Sequence, residues 1–123
     1  MICLDTNYLI RGVSEGATEA GELIAWIEAG ETLLTAMPAW FEFLCGPVTG
    51  EQTTTMRAFL TEIIPFAEPE AAEAARLFNA VNRSRRLRVD TMIAGTAITA
   101  GASLATNNRD DFEPFVAHGL QLL

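Results

Sequence analysis

The sequence predicts an α/β domain, a parallel β-sheet flanked by α-helices. Short apolar runs alternate with stretches of helical periodicity along the chain. Acids stand at the ends of several of those runs, where a parallel sheet presents its ligand-binding edge. The 123 residues, half of them hydrophobic and a fifth charged, suit a single domain spanning 1–123.

Ile2-Cys3-Leu4 reads as a buried strand ending at Asp5. A helix over 18–29 places Ala20, Leu23, Ile24 and Ile27 on one apolar face, and Gly30 stops it. Residues 32–35 form the second strand. Pro38 suits the first turn of a helix that continues over 39–45 and ends at Gly46-Pro47. Residues 53–64 are amphipathic, with Met56, Phe59, Leu60, Ile63 and Ile64 sharing a face, and a short third strand falls within 63–66. Pro69 opens the next helix, with Ala74, Leu77, Phe78 and Val81 inward. Asp90-Thr91 begins a helix reaching Ala100, with Gly101 as its stop. A strand over 103–106, a polar loop over 107–113 and a terminal strand over 120–123 complete the chain. Trp26, Trp40 and the phenylalanines are assigned to the core, and Cys3 and Cys45 read as small buried apolar residues. His118 is a structural or surface position.

Composition removes whole classes of chemistry. All eight bases are arginine, so a lysine-dependent phosphate loop, Schiff-base catalysis and a Ser-Lys dyad are excluded. One histidine cannot build a two-histidine metal site, and Cys3 and Cys45 lack the paired spacing of a zinc ligand set. Two isolated thiols point to a reducing cytoplasm. No apolar run approaches the roughly 18 residues of a membrane span, and the opening MICLDTN lacks the features of a signal peptide. No membrane association is expected. The net charge of −8 opposes nucleic acid at long range.

What remains is carboxylate chemistry, and the acids are placed unusually. Asp5 is the only charge in the first ten residues, Glu42 the only one between Thr32 and Gly50, and Asp90 the only one between Val89 and Asn108. An unpaired carboxylate in apolar surroundings costs several kcal/mol, by order of magnitude. On a parallel α/β sheet Asp5, Glu42, Asp90 and the Asp110-Asp111 pair all fall on one edge. Each alone has an ordinary reading: Asp5 and Asp90 as helix caps, Glu42 on an outer face, Asp110 and Asp111 solvated in a loop. Crowded together, they call for a hard divalent cation, Mg²⁺ or Mn²⁺, as one or two ions. Arg83, Arg85, Arg86 and Arg88 hold half of the positive charge in six residues. They read as a solvated surface or salt-bridge partners, or as a phosphate-binding stripe for RNA.

Three stretches, Leu4-Asp5-Thr6-Asn7-Tyr8-Leu9-Ile10, Ala39-Trp40-Phe41-Glu42-Phe43-Leu44-Cys45-Gly46, and Asp90-Thr91-Met92-Ile93-Ala94-Gly95 through Leu104-Ala105-Thr106-Asn107-Asn108-Arg109-Asp110-Asp111-Phe112, resemble a PIN-domain ribonuclease of the VapC toxin type. The closing Gly119-Leu120-Gln121-Leu122 is similar to that family's last strand. The resemblance implies a metal-dependent endoribonuclease that is the toxin of a toxin–antitoxin pair, held inactive by a cognate antitoxin and acting as a homodimer. By position, Asp5, Glu42, Asp90 and Asp111 match the acidic quartet, Asp111 being preferred because it precedes Phe112. Thr106 and Asn108 match supporting polar positions near the metal; Asn7 and Asp110 are further polar candidates, and either Asp110 or Asp111 could swing toward the ion as the fourth ligand. It also implies 5′-phosphate and 3′-hydroxyl products. The alternative within the same family is a catalytically silent domain that binds RNA or protein. A receiver-type domain lacks its lysine here, and an aspartyl phosphatase would need a second aspartate where Asn7 stands.

Overall fold

Ile2–Leu4 are apolar and fully enclosed, which suits the central strand of a parallel sheet covered on both faces. This is β1 in the computed structural model, which describes residues 1–123. It is followed by α1 (Thr6–Gly12), α2 (Thr18–Glu28), β2 (Leu33–Ala36), α3 (Met37–Cys45), α4 (Gly50–Phe59), β3 (Glu62–Ile64), α5 (Glu68–Ala80), α6 (Arg88–Ala100), β4 (Ser103–Ala105) and α7 (Arg109–Phe112). Short 3₁₀ turns cover Arg85–Leu87 and Glu113–His118. No helix is long and apolar enough to cross a membrane.

All pairings are parallel, in the order β3-β2-β1-β4. The chain steps outward from β1 to β2 to β3, then returns through α5 and α6 to place β4 on the other flank of β1. The strand order therefore reverses between β1 and β4, and a parallel sheet opens a crevice beyond the strand ends at such a point. Asp5 follows β1 and Thr106 follows β4, and the Asp5 N–H donates to the Ala105 carbonyl. The return path needs α5 and α6 to pack closely. A Cβ on Gly95 would lie 2.8 Å from the Ala74 backbone nitrogen, so only glycine fits there.

The α/β class and the sheet agree with the sequence reading, while several local expectations fail. Residues 6–12, to which the sequence reading assigned no element, form α1, with the Asp5 carboxylate accepting from the Thr6 N–H as its cap. The helix within 53–64 ends at Phe59, and the expected third strand is present but lies at Glu62–Ile64, where it pairs with β2. Ile24 and Ile27 are exposed, and Glu19 is buried in their place. Phe41 and Cys45 are exposed rather than core. Residues 107–113 contain α7 rather than a continuous loop. The terminal strand reduces to one bridge between Leu104 and Leu122. Helix α6 begins at Arg88, so Asp90 lies within its first turn rather than at its start.

Candidate active site

The crevice is built on Asp5. Its Oδ1 accepts from the Thr6 N–H at 2.8 Å and its Oδ2 from the Thr106 hydroxyl at 2.7 Å. Thr106 in turn accepts from the Asn108 N–H at 2.9 Å, which couples the end of β4 to the loop carrying Asp111. Asp5 is only 5 % exposed, and burial raises its pKa despite both donors, with Glu42 adding to the rise. Glu42, exposed on α3, accepts from the Thr6 hydroxyl at 2.7 Å. Thr6 thus ties two acids together. Sequence reasoning missed it, although its place directly after Asp5 at a strand end was a usable signal.

Asp90 is half-buried and its carboxylate accepts no hydrogen bond. Burial pushes its pKa up to about 6, and the charges of Asp5, Asp111 and Glu42 push in the same direction. Arg86 opposes them. Asp111 behaves differently: Arg86 donates to its Oδ1 at 2.6 Å and Asn108 to its Oδ2 at 2.8 Å, and these two hold its pKa below the usual carboxylate range.

The structure therefore brings Asp5, Glu42, Asp90 and Asp111 within electrostatic reach of one another, with Thr106 and Asn108 bonded to two of them. Asp110 and Asn7 are exposed and make no side-chain hydrogen bond. Of the arginines only Arg86 reaches the acids. Arg83 and Arg88 lie against the Phe78 ring, at 5.5 and 5.7 Å from its centroid, and Arg85 is exposed without a partner.

The donor chemistry fits a hard divalent cation. Every available donor at the crevice is oxygen, and the one nearby sulfur, Cys3, is buried with its pKa raised to about 12, so it stays a neutral thiol. As the side chains stand, no three acids are close enough to ligate one ion together. Mg²⁺ tolerates such a spread, because it keeps several waters and binds through one or two carboxylates.

An α/β domain with carboxylates gathered at the switch point of a short parallel sheet is the arrangement expected of a PIN-type nuclease domain. Residues 2–115 match the PIN domain family, and the chain belongs to it. No curated protein matches the chain significantly. Among solved structures it is similar to a chain of VapBC2 from Rickettsia felis bound to a promoter DNA fragment, with a TM-score of 0.78 and 20 % identity, covering 100 % of this chain and 98 % of that one. It is also similar to a chain of a toxin–antitoxin complex from Klebsiella pneumoniae, with a TM-score of 0.72, 24 % identity and coverage of 91 % and 90 %. FitAcB from Neisseria gonorrhoeae gives a TM-score of 0.71 at 21 % identity, with coverage of 100 % and 97 %. These likenesses establish the fold.

Proposed function

We propose that this protein is a metal-dependent endoribonuclease and the toxin of a toxin–antitoxin pair. The observation that carries the nuclease reading is Asp90, a half-buried acid with three like charges around it and its pKa raised to about 6. A chain that leaves such an acid without donors gains most when a cation arrives from outside. Membership of the PIN family and likeness to chains of toxin–antitoxin complexes support the rest, including the antitoxin partner.

Asp5, Glu42 and Asp90 would hold one or two Mg²⁺ or Mn²⁺ ions, with Asp111 completing the acidic edge. The bound metal supplies Lewis acidity and lowers the pKa of water at the phosphodiester. The chain's own contribution is order. Thr106 and the Thr6 N–H fix both oxygens of Asp5, and the Thr6 hydroxyl fixes Glu42. Hydrolysis adds water across the phosphodiester: the P–O3′ bond breaks, leaving a 3′-hydroxyl and a 5′-phosphate. Arg83, Arg85, Arg86 and Arg88 provide the positive surface that draws RNA to an otherwise acidic molecule.

Cleavage of structured and single-stranded RNA pools with Mg²⁺, Mn²⁺ or EDTA tests the reading. Cutting should require the metal, and Asp5→Asn should reduce it by ~10²–10⁴-fold, equivalent to several kcal/mol of transition-state stabilisation. Cutting in EDTA, or an Asp5→Asn protein as active as wild type, would exclude the mechanism. A metal-dependent wild type whose cognate partner leaves cleavage untouched would remove the toxin assignment alone.

A further inference from the structure

We propose that Arg86 is the phosphate contact of the acidic edge and that Asp111 is its positioning residue rather than a metal ligand, an assignment that rests on the nuclease reading above. Both Asp111 oxygens are already engaged, Oδ1 by Arg86 and Oδ2 by Asn108, at 2.6 and 2.8 Å. A divalent ion would have to displace a charge-assisted hydrogen bond to reach either of them, whereas Asp90 offers oxygens with no donor to displace.

Arg86 is held but not consumed. Its side chain remains 68 % exposed, and the bond to Asp111 uses one of five guanidinium N–H donors. The remaining fork is free to take a phosphate at the rim of the crevice. Arg83 and Arg88 are deployed elsewhere, Arg83 bonding Asn79 and lying with Arg88 against Phe78, and Arg85 is exposed without contact to the acids. The backbone also fixes the position. Asn82 and Arg83 take left-handed conformations, φ 60° and 56°, which turn the chain out of α5. Leu87, buried beside Arg86, then anchors the 3₁₀ turn in the core. Arg86 is also the cation that acts on Asp90. A phosphodiester approaching that carboxylate meets this guanidinium beside it.

Two measurements on the intact protein test the assignment: calorimetric titration with Mn²⁺ alone, and steady-state cleavage of a labelled single-stranded RNA of random sequence. Asp111→Asn should bind Mn²⁺ within ~3-fold of wild type, while Asp90→Asn should weaken it by ~10-fold or more. Arg86→Gln should raise KM by ~10-fold or more with a smaller effect on kcat, and Arg86→Lys should recover only part of that loss, because an ammonium restores the charge but not the fork. The double variant Asp111→Asn/Arg86→Gln should raise KM no further than Arg86→Gln alone, because both changes remove one contact. Both side chains are at the surface, so unfolding does not obscure the comparison. If Asp111→Asn weakens Mn²⁺ as far as Asp90→Asn, or the two KM effects multiply, the assignment is wrong. An unchanged KM in Arg86→Gln, with wild type binding Mn²⁺ and cutting RNA, overturns Arg86 alone. A wild type that does neither removes the nuclease reading and this assignment with it.

Discussion

Asp90 and Glu19 are both carboxylates in protein-lined surroundings, yet their proton affinities move in opposite directions. Glu19, at the start of α2, is held below its usual range by a hydrogen bond from its own N–H, then by Arg11 and Asn107. Asp90 is raised to about 6 by burial and by three neighbouring acids. Enclosure alone does not explain this, since Glu19 is 7 % exposed and Asp90 only half-buried. The difference lies in what the chain supplies. Around Glu19 it places donors, and the acid is structural, joining α1, α2 and the loop after β4. Around Asp90 it places more acids, leaving a charge that Arg86 offsets only in part and that an external cation can balance.

The sharpest way to break that contrast is to neutralise each acid and follow stability without metal. The raised pKa of Asp90 means the folded protein holds its proton more tightly than the unfolded chain does. Wild-type stability in EDTA should therefore fall as pH rises from about 4 to about 6. Asp90→Asn removes that fall and should be more stable than wild type by about 1–3 kcal/mol near neutral pH, with no gain below about pH 4. Glu19 has the opposite sign. Its depressed pKa contributes stability that is present above the unfolded value and lost as pH falls. Glu19→Gln should therefore lower the urea midpoint at neutral pH, converge with wild type in acid, and leave cleavage unchanged. Midpoints for both variants across that pH range check the pair, and two shifts of the same sign would dissolve the distinction.

Much of this contrast was legible in the sequence, but not all of it. Asp5, Glu42 and Asp90 stood out because each is the lone charge in a long apolar stretch. Glu19 carried no such signal: its neighbours are ordinary helix residues, and its partner Asn107 lies 88 positions away. Ile24 and Ile27 even misdirected the reading, since their spacing suggested an inward face that the fold leaves exposed. Helix α1 was missed for a local reason. Its seven residues include Thr, Tyr, Ile and Gly, poor formers that are helical here because Tyr8, Leu9 and Gly12 are buried and Asp5 caps them. Asp5 is thus both a cap and a member of the acidic edge, and its two readings were never exclusive.

A smaller effect probes Thr106, the donor that distinguishes Asp5 from Asp90. Thr106→Val removes the hydroxyl that donates to Asp5 Oδ2 and accepts from the Asn108 N–H. A buried carboxylate oxygen and a partly buried N–H lose a partner, and stability should fall by about 1–2 kcal/mol. Because that hydrogen bond opposes the rise in the Asp5 pKa, its loss should carry the pKa higher, and the onset of cleavage should move to higher pH. Chemical denaturation and the pH–rate profile check this together. A stability loss with an unmoved profile would make Thr106 a packing residue only.

Arg11 sets the lower bound of the comparison. Its Nε donates to Glu19 Oε2 at 2.8 Å, but its side chain is 52 % exposed. An exposed ion pair contributes little, because water and salt screen it and two side chains must be ordered to form it. Arg11→Gln should therefore cost less than about 1 kcal/mol, and the cost should vanish at about 1 M salt. Glu19 would keep its own N–H and the Asn107 amide, so its pKa should stay below the usual carboxylate range. If Arg11→Gln instead destabilises as much as Thr106→Val, and salt does not relieve it, Glu19 depends on a cation. The two regions would then differ only in where that cation comes from: within the chain at Glu19, and from solution at Asp90.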